Sequence, residues 1–144
     1  MGMNVYTFQV QWGDTDAAGI VFYPNFYKWM DQATHNLLAN IGYPTSLLFR
    51  QQKMGVPLLE AKCQFSSPLF FEDQVKLVTS IAELRDKVIA LQHEFYRDGT
   101  KVASGMEKRA WVAFSTDKPI KAVSIPDEIR SRLSQLQTAG QTTG

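Results

Sequence analysis

The chain has 144 residues, close to the size of one domain, and 44% of them are apolar, enough for a packed core and too many for disorder. A net charge of +1 argues against a broad nucleic-acid-binding surface and leaves room only for a small basic patch. The single cysteine, Cys63, excludes an internal disulfide and fits a reducing compartment; with no signal-peptide pattern at the start and no apolar run near the ~20 residues of a membrane span, the expectation is a cytoplasmic protein without membrane contact.

Val5 to Trp12 alternates, with Tyr6, Phe8, Val10 and Trp12 on one face and Thr7, Gln9 and Gln11 on the other, which predicts a half-buried strand. Gly13 to Gly19 breaks that pattern with turn formers. From Phe26 the period becomes helical. Phe26, Met30, Ala33, Leu37 and Ile41 recur at spacings of three and four, with Trp29 and Leu38 widening the stripe. Asn25 is the expected N-cap, and Gly42 followed by Pro44 is a stop signal, giving about four turns. Large aromatics on more than one side imply that this helix lies against a sheet. Ser46 to Gln52 is compatible with a short second helix or a loop.

Strand signals follow. Pro57 to Leu69 has Leu59, Ala61, Cys63 and Phe65 facing one way, and Pro68 points to an edge or a bulge near its end. Gln74 to Leu84 alternates through Val75, Leu77, Thr79 and Ile81; Arg85-Asp86-Lys87 then reads as a tight turn into Val88 to Arg97. Asp98-Gly99 is a hairpin signal leading into Val102 to Ser115. Pro126, Asp127 and Glu128 open a C-terminal helix with Ile129, Leu133 and Leu136 on its inner side. Residues 1–137 are therefore expected to form a single domain, and 138–144, without an apolar anchor, a flexible tail. The fold class is α+β: an antiparallel sheet of about five strands wrapped around one long central helix.

The stretch Gly13 to Ala33 concentrates the candidate chemistry. It begins as a polar turn with carboxylates at Asp14 and Asp16, passes through Ile20-Val21-Phe22, and enters the helix. A helix N-terminus offers unpaired N–H groups and partial positive charge, which suits an oxygen that becomes negative during reaction. Asp14 is the better capping residue and Asp16 the better chemical one, being nearer the apolar run and the helix end. Pro24 has no N–H, so the donors at the helix start come from Tyr23, Asn25 and Phe26; the sharper reading is that the Tyr23 N–H, outside the helical ladder, faces a substrate carbonyl. His35 follows Asp31 at i, i+4, a common surface pair, and His93 alternates with Leu91 and Phe95 as a core histidine would. There is no Gly-x-Ser-x-Gly elbow and no metal-ligand cluster, and Cys63 on an apolar strand face reads as core. The Arg85-Asp86-Lys87 turn is either a solvated loop or a seat for phosphates.

Residues 13–26, Gly-Asp-Thr-Asp-Ala-Ala-Gly-Ile-Val-Phe-Tyr-Pro-Asn-Phe, resemble the signature of hot-dog-fold acyl-CoA thioesterases of the 4-hydroxybenzoyl-CoA thioesterase type. The resemblance covers most of the chain, since strand, helix and meander follow in the family's order. It implies thioester hydrolysis with coenzyme A as part of the substrate and no separate cofactor. It also implies a homodimer whose sheets join, or a homotetramer, with active sites between subunits. The family's catalytic aspartate matches Asp16, and the backbone donor that polarises the thioester carbonyl matches Tyr23. The acidic residue that meets a ring hydroxyl matches Asp31. The basic turn that meets CoA phosphates falls near Arg85 and Lys87, interrupted here by Asp86. Relatives of broader specificity carry histidine where Tyr23 or Pro24 stands, so the resemblance leans towards an aromatic acyl group, 4-hydroxybenzoyl among them, with a short-chain acyl group as the alternative. Competing readings are a hydratase or dehydratase on the same fold, for which Asp31 and His35 are the local candidate pair, and a non-catalytic acyl-CoA-binding protein in which Asp16 only caps a turn.

Overall fold

The computed structural model describes residues 2–115 and 117–138. Its main sheet has five antiparallel strands in the order β1-β4-β5-β6-β3, from β1 (Asn4–Gln9), β3 (Leu58–Phe65), β4 (Gln74–Leu84), β5 (Val88–Arg97) and β6 (Thr100–Ala110). A small sheet joins β2 (Met54–Gly55), β7 (Val112–Ala113) and β8 (Lys121–Ala122). The helices are α1 (Pro24–Asn40), α2 (Thr45–Gln52) and α3 (Asp127–Ser134). This is the hot-dog arrangement that the resemblance implies: one long helix packed on the inner face of an antiparallel sheet. Among the described residues no helix is long and apolar enough to cross a membrane.

The meander β4-β5-β6 arises from the alternation noted in the sequence, with Val75, Leu77, Thr79 and Ile81 inward on β4 and Leu91, His93 and Phe95 inward on β5. Helix α1 buries Phe26, Trp29, Met30, Ala33, Thr34, Leu37 and Leu38 against them. Its close approach to β6 depends on Gly105, where a Cβ would run into the Met30 sulfur and lie 2.9 Å from the Lys62 carbonyl. The apolar interior falls into two clusters. One surrounds the N-terminal half of α1 with Val10, Val21, Leu69 and Phe95; the other surrounds its C-terminal half with Tyr43, Trp111, Ile129 and Leu133. Between them lies a polar layer of Thr34, Thr79, His93, Glu107 and Arg109, all buried.

Several boundaries differ from the sequence expectation, each for a local reason. The first strand stops at Gln9 rather than Trp12, because the Asp14 carboxylate accepts the Gln11 N–H at 2.8 Å and winds Trp12–Asp14 into a 3-10 turn. Trp12 is consequently 73% exposed, edge-on to Phe71 at 5.4 Å. Asn25 is not the N-cap of α1. The helix begins at Pro24, whose fixed φ suits the first turn, with Tyr23 in the capping position. The final long strand breaks at Trp111, where β7 leaves the main sheet for the small one. Strand β3 is an edge with a bulge between Leu58 and Glu60, so Leu59 and Phe65, expected to face a core, are 60% and 46% exposed. Ser46 to Gln52 is helical, as part of α2. Thr138 donates its N–H to the Ile81 carbonyl at 2.9 Å, and the rest of the expected tail, 139–144, lies outside the described residues.

Candidate active site

The motif loop is a self-bonded hairpin. The Asp16 N–H donates to the Ile20 carbonyl at 3.0 Å, the Gly19 N–H to the Asp16 carbonyl at 2.9 Å, and Thr15 bridges Val21. Gly19 has φ +84, a conformation that side chains with a Cβ rarely adopt. The loop is fastened to the β3–β4 connection by Val21 N–H to the Leu69 carbonyl, 2.9 Å, and is closed on itself just ahead of the helix by Phe22 N–H to the Asp14 carbonyl, 2.8 Å. The Asn25 side chain donates to the same Asp14 carbonyl at 2.9 Å. Asp14 is thus structural, its carboxylate spent on Gln11 and its carbonyl on two donors. Asp16 projects from the loop with its carboxylate exposed and accepting the Ala18 N–H at 2.9 Å.

At the mouth of α1 the first backbone donors are accounted for: Asn25 N–H reaches the Phe22 carbonyl and Phe26 N–H the Tyr23 carbonyl, both at 3.0 Å. Pro24 has none to give. The Tyr23 N–H finds no acceptor among the described residues, so it is the open donor at that helix end. Beside it is an apolar cavity of about 330 Å³ lined by Ile20, Val21, Tyr23, Phe26, Phe65 and Leu69, with Ser66, Ser67 and Pro68 on one side. Asp16 is not part of that lining; it joins the cavity wall through its backbone bond to Ile20.

Asp31 lies on α1, two turns beyond Tyr23, and its side chain is 52% exposed. One oxygen, Oδ1, accepts from Arg109 Nη2 at 2.8 Å, and His35 Nε2 lies 3.3 Å from it. Arg109 belongs to the polar layer and grips Glu107 through two bonds, Nε to Oε1 at 3.1 Å and Nη2 to Oε2 at 2.8 Å. Glu107 also accepts from Thr34 Oγ1 at 2.5 Å and His93 Nε2 at 3.1 Å. Burial alone would raise the Glu107 carboxyl, but the bonds from His93 and Arg109 outweigh it and hold the pKa down to about 2. Burial likewise works against the Arg109 charge, and the hydrogen bond and attraction from Glu107 more than restore it, so its pKa is raised. Sequence reading of Val102 to Ser115 did not assign faces, and so missed this pair. The signal was there: Glu107 and Arg109 continue the inward phase of Ala103 and Gly105.

Arg85 and Lys87 are exposed in the β4–β5 turn, where Arg85 pairs with Glu83 at 2.9 Å. That turn lies at the far end of β4 from the motif loop. Val10 N–H bonds Asp73 beside the near end, and eleven residues of strand intervene, a span of roughly 30 Å. Within one chain, then, Asp16, Tyr23 and the cavity share one end of the sheet, Asp31 lies between, and Arg85 and Lys87 are at the other end. The Cys63 thiol is pushed up to about 11 by burial, which makes it a poor nucleophile. His93 has both ring nitrogens engaged, with Thr79 and Glu107, whereas His35 bonds Thr45 through Nδ1 at 2.5 Å and has Nε2 3.3 Å from Asp31. Among the described residues no group of His, Cys, Asp and Glu side chains is arranged to hold a metal ion.

Comparison with known proteins gives a consistent picture. The sequence model of the thioesterase-like superfamily matches residues 10–133. A putative esterase from Aquifex aeolicus (strain VF5) is 30% identical over 125 residues, covering 87% of this chain and 93% of that protein. The 4-hydroxybenzoyl-CoA thioesterase of Pseudomonas sp. (strain CBS-3) is 26% identical over 125 residues, covering 82% and 88%. Among solved structures, a gentisyl-coenzyme A thioesterase is 50% identical with a TM-score of 0.80, covering 90% of this chain and 98% of that one.

Proposed function

Since this chain belongs to the thioesterase-like superfamily, we propose that it hydrolyses the thioester of an aromatic acyl-CoA carrying a ring hydroxyl. The observation that carries this reading is the open Tyr23 N–H at the mouth of α1 beside an apolar cavity. A thioester carbonyl seated there gains a donor exactly where negative charge develops, and one such donor is worth about 10²–10³ in kcat. Asp16 on the adjoining loop supplies the carboxylate. It either attacks the carbonyl carbon, releasing the CoA thiolate and leaving a mixed anhydride that water cleaves, or takes a proton from an attacking water. Coenzyme A enters as part of the substrate, and no cofactor is required for either route.

The acyl group is read from Asp31, an exposed carboxylate on the same helix, and from the 50% identity to a gentisyl-coenzyme A thioesterase. Assembly into a homodimer or homotetramer with sites between subunits belongs to the same reading. Asp16 is open to solvent in the single chain, Arg85 and Lys87 lie at the opposite end of the sheet, and β3 is an unpaired edge carrying the exposed Leu58, Leu59 and Phe65. In such an assembly a neighbouring subunit would wall the Asp16 side and bring its own Arg85 and Lys87 to the CoA phosphates. The cytoplasmic setting rests on the lone cysteine. A hydratase needs a histidine nitrogen free to move a proton, and both nitrogens of the buried His93 are engaged with Thr79 and Glu107.

The test is Asp16→Asn assayed against benzoyl-, 4-hydroxybenzoyl- and aliphatic CoA esters. Turnover should nearly vanish while CoA-ester binding persists, and the wild type should favour the hydroxylated aromatic ester. Wild-type-like turnover in the variant refutes the role of Asp16, and equal background hydrolysis by both proteins indicates a binding protein instead.

A further inference from the structure

The polar layer that divides the core ends at the surface in a single carboxylate. Glu107 and Arg109 are 1% and 3% exposed, yet Arg109 extends one bond out of the interior to Asp31, whose side chain is 52% exposed. All three guanidinium nitrogens are engaged: Nε with Glu107, Nη1 with the Val56 carbonyl at 2.9 Å, and Nη2 with Glu107 and Asp31. Glu107 is itself held by Thr34 from α1 and His93 from β5, so the guanidinium plane is fixed from helix, sheet and the β2–β3 link together.

We propose that the Glu107–Arg109 pair is a positioning device that fixes Asp31 to accept a hydrogen bond from a hydroxyl on the acyl group, and thereby sets selectivity for hydroxylated acyl-CoA esters. This rests on the reading that Asp31 meets the acyl group. Two features carry it. The one side-chain donor to Asp31 among the described residues, Arg109 Nη2, falls on Oδ1, and Oδ2 has no partner among them. Moreover, Arg109 gives Glu107 two bonds and Asp31 only one, so Glu107 takes most of the positive charge. Asp31 is oriented by Arg109 without being fully neutralised, and its second oxygen stays a strong acceptor. A buried ion pair is a weak source of net stability because desolvation offsets the attraction, whereas it does hold geometry. A carboxylate locked in one rotamer selects by geometry: an acyl group lacking the hydroxyl leaves the oxygen without its intended partner.

The experiment compares kcat/KM for 4-hydroxybenzoyl-CoA and benzoyl-CoA in the wild type, Asp31→Asn, Arg109→Lys and a double variant, Glu107→Leu with Arg109→Met. Lysine keeps the charge and loses the fork; the double variant replaces the pair with apolar groups of similar volume and guards against Arg109→Lys failing to fold. The ratio of hydroxylated to unhydroxylated ester should fall about tenfold in Arg109→Lys and in the double variant, approaching that of Asp31→Asn. A purely structural pair would lower both esters together and leave the ratio unchanged, which overturns the positioning role. If Asp31→Asn itself leaves the ratio unchanged, the contact between Asp31 and the acyl group is wrong and the proposal falls with it. A collapsed ratio in Asp31→Asn beside an intact one in Arg109→Lys overturns the proposal alone.

Discussion

Replacing Glu107 by Gln probes the polar layer through its response to acid. The carboxylate is 1% exposed and accepts bonds from Thr34, His93 and both faces of the Arg109 fork. Its pKa is held down to about 2 from an ordinary 4.5, the bonds from His93 and Arg109 overcoming the opposing effect of burial. A group depressed in the folded state contributes stability above its unfolded pKa and loses it as pH falls through the folded one, so the window runs from 4.5 down to about 2. The full contribution is on the order of 3 kcal/mol at neutral pH, and more than half of it is gone by about pH 3. Glutamine mimics the protonated acid. At neutral pH the variant should therefore lose about 3–5 kcal/mol, Arg109 being left buried without its main partner. Urea unfolding followed by the fluorescence of the buried Trp29 and Trp111 gives the comparison. The wild type's advantage should shrink by roughly 2 kcal/mol between about pH 6 and pH 3. An advantage that stays constant across that range would refute an ionised Glu107 in the folded core.

Two further outcomes follow from the packing and from the loop. Gly105→Ala should lower stability by about 1–3 kcal/mol in thermal unfolding, since the added methyl meets the Met30 sulfur and the Lys62 carbonyl; an unchanged midpoint would mean that α1 does not sit so close to β6. Asn25→Ala removes the 2.9 Å bond from the helix mouth to the Asp14 carbonyl, costing about 0.5–1.5 kcal/mol, and should lower kcat more than it changes KM as Tyr23 and Asp16 lose their fixed relation; steady-state kinetics with unaltered kcat would count against that coupling.

The elements were legible because their signals are local. The 3.6-residue stripe of Phe26, Met30, Ala33 and Leu37 could only be a buried helix face, and the alternation through Val75 to Ile81 could only be a strand with one side inward. The Asp98-Gly99 turn adopts φ 52 and 78, as its residue types require. Boundaries were less legible wherever a side chain bonded across the expected limit. Asp14 ended β1 early by capturing Gln11, and Asn25 turned its amide on the loop instead of capping its own helix. Proline's missing N–H, a covalent fact, left Tyr23, Asn25 and Phe26 as the donors at the helix start, and the bonds of Asn25 and Phe26 to the Phe22 and Tyr23 carbonyls leave Tyr23 as the open one.

What the order of residues could not decide is which distant groups share a neighbourhood. Whether Leu59 and Phe65 are core or surface depends on β3 being the last strand of the sheet, and that is settled by pairing with β6 rather than by alternation. Arg85 and Lys87 read along the sequence as a solvated turn or a seat for phosphates, with nothing to say how far they lie from Asp16; an eleven-residue strand sets them at opposite ends of the fold. The partnership of Glu107, Arg109 and Asp31 spans a separation of 78 positions, which no local periodicity encodes. Hydrophobic pattern determines which side of each element is buried; only the assembled sheet and helix determine which polar groups meet there, because that depends on strand register and the level at which the helix crosses.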